Sequence, residues 1–367
     1  MKLYVNKMFL VFALLSCFLL VACSEESAGE NDNEGQGVED TPVEDADDEA
    51  EIEEIPTEEA EQKADYDAPL TGLPLDEEAA HTAFGVMIEN STSARPQTGL
   101  YQADLVYEVL SEATITRFLA IFHSQEAERI GPIRSARDYY VHLNKGYDAI
   151  YVSAGGSPSG LELAESDYVP YISAQTYDQQ YFSRSSERSA PHNMYTTFSD
   201  LVSVAELIGL NLENAPPQLP FDSETSTSRT GEEVDEFEVL YGSSSNNVKY
   251  EYDEKLNGYR RSNGGVPTED HDTETPVAPQ NVFVVEASHR VIDDAGRRDI
   301  DITSGGEAYL FQDGVKHDVD WQSDDGVILP YHEGEPVQFV PGQTWINIVP
   351  KENGGLTSQV EMNIEGH

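Results

Sequence analysis

Residues 116–122, Thr-Arg-Phe-Leu-Ala-Ile-Phe, form the clearest strand signal of the chain and decide the type of fold. Aromatic and aliphatic residues of this kind are typical of a buried β-strand. Two similar runs, 83–89 and 104–110, precede this segment, and residues 147–154 predict a further buried strand. Because predicted helices lie among these strands, the sequence indicates an α/β or α+β fold.

The first predicted helix follows Pro132, a residue that suits the first position of a helix. Apolar residues then repeat at helical spacing up to Gly146, which is expected to end the helix. Arg134 and Arg137 fall in its first turns, where the helix macrodipole disfavours cations. The sequence therefore predicts that an anion lies close to these two arginines.

Two further helices are predicted in the same half of the chain. Ser159 begins a sequence with the form of a capping box, which predicts the start of one helix. Residues 199–208 place their apolar side chains on one face, with Ser199 at the start and Gly209 as the cap at the end. The helices and strands together predict a mixed N-terminal domain.

The second half of the chain has a different composition. Two prolines, Pro216 and Pro217, and a Ser/Thr-rich stretch predict a linker or a long loop. Beyond it, turn signals such as Asp313-Gly314 and Asp325-Gly326 separate short apolar runs and predict a mostly antiparallel β domain. The predicted strands cover residues 237–241, 248–252, 258–261, 281–286, 308–312 and 344–349.

The first 23 residues have the pattern of an export signal. A basic start with Lys2 and Lys7 precedes an apolar run, and Leu-Val-Ala-Cys at 20–23 has the form of a bacterial lipobox. In such a signal Cys23 becomes the lipid attachment site, and the chain is expected at the extracytoplasmic face of the membrane. An ordinary secretory signal with a coincidental cysteine is the alternative. Cys17 would be removed with the signal, so no disulfide is expected.

These boundaries combine into one predicted organisation. It comprises a signal peptide at 1–22, an acidic disordered tether at 23–67, an N-terminal α/β domain at 68–215, a linker or loop at 216–235, a smaller and mostly β C-terminal domain at 236–350, and a tail at 351–367. The tether is predicted because 20 acidic residues accompany a single lysine between residues 24 and 67, and like charges at that density repel.

The charge of the chain limits its partners. With 69 acidic and 21 basic residues the formal charge is -48, which argues against unaided binding of nucleic acid or of an anionic membrane surface. Yet seven of the 13 arginines lie between residues 95 and 188. The ligand-binding hypothesis assigns anion contacts to arginines of this group, namely Arg95, Arg117, Arg134, Arg137, Arg184 and Arg188. The alternative is structural ion pairing with carboxylates such as Asp104, Glu108 or Glu112.

A glycine pair provides a second element of the hypothetical site. Residues 151–160, Tyr-Val-Ser-Ala-Gly-Gly-Ser-Pro-Ser-Gly, lead from a strand into a helix. Backbone amides of Gly155, Gly156 and Ser157 could donate to an anionic ligand. A tight turn that needs the conformational freedom of glycine is the alternative.

His192 is the one histidine of this region with a possible chemical role. It lies in an irregular segment rich in Ser, Arg and Asn, where it could act as a general base or simply bond to the backbone. The other eight histidines show no metal-ligand spacing, so no metal site and no cofactor are predicted.

Ordered short motifs along the chain resemble those of the YerB-like lipoprotein family of Gram-positive bacteria. They include Pro-Leu-Thr-Gly-Leu at 69–73, Gly-Pro-Ile-Arg-Ser-Ala-Arg at 131–137, Ala-Gly-Gly-Ser-Pro at 154–158 and Pro-Gly-Gln-Thr-Trp at 341–345. The resemblance spans about residues 69–350. It implies an exported lipoprotein with an N-terminal α/β part and a smaller C-terminal part, and it carries over no biochemical activity.

Three functional classes follow from these observations. The first is an envelope module that binds an anionic ligand through the arginines. The second is an enzyme on cell-wall precursors or polymers, for which a loose similarity to the LytR-CpsA-Psr phosphotransferases suggests Asp104 and Asp138 as Mg²⁺ ligands. The third is a structural scaffold that binds a partner, which predicts buried arginine–carboxylate pairs and no open pocket.

Overall fold

The computed structural model describes residues 66–222 and 231–362. The predicted signal peptide, Cys23 and the tether up to residue 65 lie outside the described residues. Within the described ranges, no helix is long and apolar enough to cross a membrane.

Strands dominate both described parts of the chain. Those before residue 222 are β1 (Tyr66–Asp67), β2 (Pro74–Leu75), β3 (Phe84–Glu89), β4 (Leu105–Glu112), β5 (Ile115–Phe122), β6 (Ile150–Ser153), β7 (Tyr171–Ser173), β8 (Ser183–Arg184) and β9 (Met194–Tyr195). Those after residue 231 are β10 (Glu232–Glu233), β11 (Glu236–Val239), β12 (Val248–Asp253), β13 (Gly258–Asn263), β14 (Val266–Pro267), β15 (Asn281–Ala287), β16 (His289–Val291), β17 (Arg298–Ile300), β18 (Gly306–Gln312), β19 (Val315–Asp324), β20 (Val327–His332), β21 (Glu335–Pro336), β22 (Thr344–Pro350) and β23 (Val360–Met362).

A large mixed sheet joins strands from both halves. Within the described residues it has twelve strands in the order β21-β20-β19-β18-β15-β22-β4-β5-β3-β6-β7, with β10 paired to β19. The strand β22 lies parallel to β15 on one side and to β4 on the other, and β3, β6 and β7 are also mutually parallel. The predicted mixture of helices and strands is confirmed.

Both faces of this sheet are covered. In β5, Phe118, Ala120 and Phe122 pack in one apolar cluster, whereas Leu119 and Ile121 pack in the other. This alternation follows from the period of two along a strand. Helices and a smaller sheet pack against the two faces of the large sheet. This explains why a run such as 116–122 is apolar on both faces.

Four α-helices lie in the described residues: α1 (Asp138–Lys145), α2 (Pro158–Ala164), α3 (Phe198–Ile208) and α4 (Leu356–Gln359). Tyr139 and Leu143 of α1 pack on one side of the large sheet. Leu201 and Val204 of α3 pack on the other side. There they share the cluster with a second, five-stranded sheet of order β14-β13-β12-β11-β23, whose adjacent strands are all antiparallel.

The prediction that the first helix starts at Pro132 is wrong. It begins at Asp138, after an extended segment that makes bridges between Ile133 and Ile88 and between Ala136 and Gly156. Tertiary hydrogen bonds therefore use the backbone groups that a helix would need. Ile133 and Ala136 are buried, but in different clusters, so their helical spacing reflects burial of an extended segment.

The starts of the other two predicted helices are each displaced. Ser157, rather than Ser159, caps α2, because its Oγ accepts a hydrogen bond from the Gly160 amide at 3.1 Å. Thr197, rather than Ser199, caps α3. Gly209 ends α3 in the left-handed region with a φ of 72°, which confirms its predicted role.

Several strands were not predicted from the sequence, and β19 and β20 are the longest of them. In β19, buried and exposed residues mostly alternate, and Val319 and Trp321 are its main apolar anchors. Polar residues between these anchors obscure the strand pattern of β19, whereas Pro330 interrupts the apolar run of β20. The turns at Asp313-Gly314 and Asp325-Gly326, which link β18 to β19 and β19 to β20, are confirmed.

Residues 356–362 lie within the predicted tail. They form α4 and β23, and β23 pairs with β11 from Phe237 to Val239. Leu356 and Val360 are buried in the same cluster as β11. The end of the described chain therefore completes the second sheet.

Candidate functional site

Three of the predicted arginines meet two carboxylates at one end of β3, β4 and β5. Arg134 pairs with Glu89, and Arg137 pairs with Glu112. Arg117 lies between the two acids, with nitrogen–oxygen distances of 2.7 Å to Glu112 and 3.9 Å to Glu89. We call these five residues the arginine cluster.

The arginine cluster has more positive than negative groups. It contains three guanidinium groups and two carboxylates, and Glu89 and Arg117 are buried. A surplus cation in a protein of formal charge -48 is unusual, and burial strengthens its attraction for an anion. The arrangement can therefore accommodate one further negative charge.

The segment before α1 positions Arg134. Its backbone amide donates to the Met87 carbonyl at 2.8 Å, and its carbonyl accepts from the Ala154 amide at 2.9 Å. Two residues after Arg134, the Ala136 amide donates a hydrogen bond to the Gly155 carbonyl at 2.8 Å. These bonds hold Arg134 between the ends of β3 and β6, where an extended backbone replaces the predicted helix.

A cavity of about 390 Å³ opens beside this segment, and we call it the arginine cavity. Its volume lies in the range usual for small-ligand sites. The structure brings together four of the predicted site residues there, from three separate parts of the chain. The lining includes Arg134, Gly155, Gly156, Gln175, Arg184 and Met194.

The two glycines line the cavity with backbone. Gly155 has a φ of 73°, a conformation that favours glycine. Among the residues that the structure describes, neither the Gly155 amide nor the Gly156 amide donates a hydrogen bond. A bound anion would supply the acceptor that these amides lack.

Arg184 extends to the cavity from β8. Its guanidinium bonds to Asp178, with an Nη2–Oδ2 distance of 2.8 Å, and to the Asn193 side chain at 3.0 Å. The side chain keeps 36% of its surface exposed, whereas that of Arg134 keeps 24%. Both guanidinium groups are therefore partly accessible to a ligand.

The remaining predicted site residues lie elsewhere. Arg117 and Arg137 contribute charge through the arginine cluster but are buried. Ser157 caps α2, and its amide donates to the Ala136 carbonyl at 3.1 Å. Arg188 donates to the carbonyls of Ala94 and Pro96.

His192 is not among the residues that line the arginine cavity. Its Nδ1 lies 3.5 Å from the Ser91 Oγ, and its amide donates to the Ser189 carbonyl at 3.0 Å. Within the described residues, no ion pair closer than 4.0 Å joins His192 to a carboxylate.

Arg95 lies in a different cavity. Its guanidinium donates to the carbonyl and side-chain oxygens of Asn90 and to the Ser245 carbonyl. Burial, together with the positive charge of Arg261, lowers the pKa of Arg95 to about 10. The structure therefore separates Arg95 from the four residues of the arginine cavity.

The carboxylates of the phosphotransferase alternative do not line the arginine cavity. Asp104 accepts hydrogen bonds from the amides of His123 and Ser124, and Asp138 lines another cavity. Burial raises the pKa of Asp104, although these hydrogen bonds oppose the shift. No group of three or more potential metal-binding side chains occurs in residues 66–222 and 231–362.

Sequence reasoning missed Glu89 and Gln175. Glu89 directly precedes Asn90 at the end of a predicted strand, a position that could have marked it as a partner. Of the three suggested carboxylates, only Glu112 pairs with the arginine cluster. Glu108 instead forms a buried ion pair with Arg261, at 2.7 Å, and Asp104 binds backbone amides.

Comparisons with known proteins agree with this architecture. A family model described as "Protein of unknown function (DUF3048) N-terminal domain" matches residues 70–210. The corresponding "Protein of unknown function (DUF3048) C-terminal domain" matches residues 237–346. Together the two models match both halves of the described chain.

One curated relative and one solved structure are similar over most of the chain. "Putative lipoprotein YerB" of Bacillus subtilis (strain 168) is 43% identical over 297 residues, which are 80% of this chain and 89% of that protein. A crystal structure of YerB protein from Bacillus subtilis has a TM-score of 0.74 and 42% identity, and the match covers 81% of this chain and 99% of that chain.

Proposed function

We propose that this chain, which belongs to the DUF3048 family of proteins of unknown function, is a lipid-anchored envelope protein. We further propose that it binds an anionic ligand in the arginine cavity. The observation that carries the proposal is the unequal charge of the arginine cluster. Three guanidiniums share two carboxylates beside a cavity with two unoccupied backbone donors. Anion binding would balance that charge.

The hydrogen-bond donors of the arginine cavity indicate which class of anion it would bind. Guanidinium groups form paired hydrogen bonds with phosphate and carboxylate oxygens, and glycine amides suit the same oxygens at close range. Arg134 and Arg184 would hold the ligand, and Gly155 and Gly156 would donate to it. Phosphorylated precursors and acidic fragments of the cell envelope have this chemistry.

The sequence and the similar protein of Bacillus subtilis both indicate where in the cell this protein would act. The lipobox at 20–23 predicts lipid attachment at Cys23, outside the described residues. The similar protein of Bacillus subtilis is named a lipoprotein, which supports anchoring at the extracytoplasmic face of the membrane. A single attached lipid chain gives weak anchoring, so the two chains of a diacylglycerol suit a stable anchor.

Thermal unfolding of the purified full-length protein tests the proposal. We expect phosphate, pyrophosphate, a prenyl pyrophosphate or acidic wall fragments to raise the melting temperature at low ionic strength. A ligand at 100 times its dissociation constant stabilises the protein by about 2.7 kcal/mol, which corresponds to several degrees. The substitution Arg184→Gln should weaken binding about tenfold, because it removes one charged contact from a partly exposed site.

Arg290→Gln is the matched control. Arg290 is 75% exposed, pairs with Asp299 and lies outside the arginine cavity, so this variant should keep the full ligand-induced shift. The proposal is wrong if none of these anions raises the melting temperature, or if Arg184→Gln and Arg290→Gln respond to the ligand equally.

A further inference from the structure

A second cavity, of about 510 Å³, lies between the two halves of the described chain. Four residues between 92 and 97 line one part of it, and residues from 261 to 274 line another. We call it the Arg95 cavity. Its volume suits a small ligand, and it includes Arg95, Gln97, Arg261, Asn263 and Val266.

Arg95 carries a charge that no carboxylate balances at close range. It hydrogen-bonds to neutral oxygens of Asn90, Ser245 and Asn246. Among the ion pairs of residues 66–222 and 231–362, none within 4.0 Å involves Arg95. A half-buried guanidinium in such surroundings favours an anionic ligand.

Two buried polar atoms of the same cavity residues also lack partners. Arg261 and Asn263 are each 3% exposed. Arg261 bonds to Glu108 and Thr268 through its terminal nitrogens, but its Nε has no hydrogen-bond partner in the described structure. Asn263 donates to two backbone carbonyls, whereas its Oδ1 accepts no hydrogen bond there.

These two atoms require different hydrogen-bonding partners. The Arg261 Nε is a donor and needs an acceptor, whereas the Asn263 Oδ1 is an acceptor and needs a donor. Unpartnered polar atoms in a buried position are rare and cost free energy. A ligand that carries both an anionic acceptor and an N–H donor would satisfy both atoms and balance Arg95.

The rest of the lining restricts the ligand further. Val266 and Pro267 form the short edge strand β14, and Val266 is 65% exposed, so an apolar group can pack there. Three carboxylates also line the cavity, the exposed Glu269 and Glu274 and the buried Asp270, which accepts hydrogen bonds from backbone amides; their charge disfavours ligands of high negative charge. A single carboxylate is therefore favoured over a pyrophosphate.

We propose that the Arg95 cavity binds the C-terminal end of a short peptide. The terminal carboxylate supplies two planar oxygens to the guanidiniums of Arg95 and Arg261. The last amide N–H supplies a donor to Asn263, and a small apolar side chain packs on Val266. This site is separate from the arginine cavity and does not depend on the function proposed for it.

Calorimetric titration of the full-length protein with N-acetyl-alanyl-alanine tests the proposal. The free acid should bind, and its C-terminal amide should bind at least tenfold more weakly, because the amide has lost the charge that Arg95 recognises. Val266→Asp places a negative charge at an exposed position of the lining and should weaken binding of the acid about tenfold. Val266→Lys loses the same apolar contact but adds no negative charge, so it should bind the acid more tightly than Val266→Asp does.

Both Val266 variants change an exposed side chain, so they should fold like the parent protein. Arg184→Gln should leave peptide binding unchanged, which separates this site from the arginine cavity. Equal binding of the acid and the amide, no binding of the acid at millimolar concentration, or equal binding by the two Val266 variants would each overturn the proposal. Binding of inorganic phosphate in place of the acid would overturn it as well.

Discussion

Replacing Glu108 by leucine is expected to lower the free energy of unfolding by about 3–5 kcal/mol, because it leaves the charge of Arg261 buried without its partner. Glu108 is fully buried, and its Oε2 lies 2.7 Å from the Arg261 Nη2. Burial alone would lower the pKa of Arg261, but the Glu108 carboxylate and the Tyr250 side chain together outweigh it, so this pKa is raised. Urea unfolding of the variant and the parent protein measures the loss.

The same carboxylate also accepts hydrogen bonds from three other side chains. Thr116 donates at 2.8 Å, and Asn90 and Trp345 each donate at 3.2 Å. Glu108 thereby links β4, β5 and β22 of the large sheet to β13 of the second sheet. Its removal should loosen the contact between the two sheets, so the cost should exceed that of a lone ion pair.

Two further variants control this experiment. Asp299→Leu breaks the exposed pair with Arg290 and should cost at most about 1 kcal/mol. The double variant Glu108→Leu with Arg261→Met should recover part of the loss, because two apolar side chains replace a buried pair. A loss below about 1 kcal/mol for Glu108→Leu alone would contradict this account of the interface.

Acidification from pH 7 to pH 5 is expected to lower the free energy of unfolding through two buried histidines. Burial, reinforced by the charge of His81, lowers the pKa of His123 to about 4. Burial also lowers the pKa of His289 to about 4, with Arg298 acting in the same direction and the hydrogen bond to the Ala287 carbonyl opposing it. Both side chains are thus held neutral in the folded protein.

The sign of the effect follows from proton binding. An unfolded histidine takes up its proton near pH 6.5, whereas these two resist it until about pH 4, so the unfolded chain binds more protons between these values. Stability is therefore lost as the pH falls through this window. At pH 5 the loss amounts to about 2 kcal/mol for each histidine.

Urea unfolding at pH 7, 6 and 5 measures this slope, in a range that stays above the isoelectric point of about 4.2. The double variant His123→Gln with His289→Gln should be less stable at pH 7 but should have a flatter pH dependence than the parent protein. Parallel pH dependences of the two proteins would exclude these histidines as the cause.

Much of the fold can be predicted from the sequence because its central strands are apolar on both faces. The predicted strand at residues 116–122 falls within β5, and the run at 344–349 falls within β22. The start of α1 could not be predicted in this way. Residues 130–136 exchange hydrogen bonds with distant segments, and such bonds leave no local pattern.

The candidate site was predictable only in part, for the same reason. The concentration of arginines and the glycine pair at 155–156 both pointed to the region that now forms the arginine cavity. Their partners were harder to identify, because pairing depends on which strands become neighbours. Arg261 illustrates this limit, since it lies 153 residues from Glu108 and yet forms its buried ion pair.

The position of a bound anion would show directly whether the arginine cavity is a binding site. Crystals of the protein soaked in selenate, an anion with anomalous scattering, would locate it without assuming the natural ligand. We predict a selenium peak in the arginine cavity, within hydrogen-bonding distance of the Arg134 and Arg184 guanidiniums and of the Gly155 or Gly156 amide. An ordered cavity without selenium, while selenate is bound elsewhere on the protein, would contradict it.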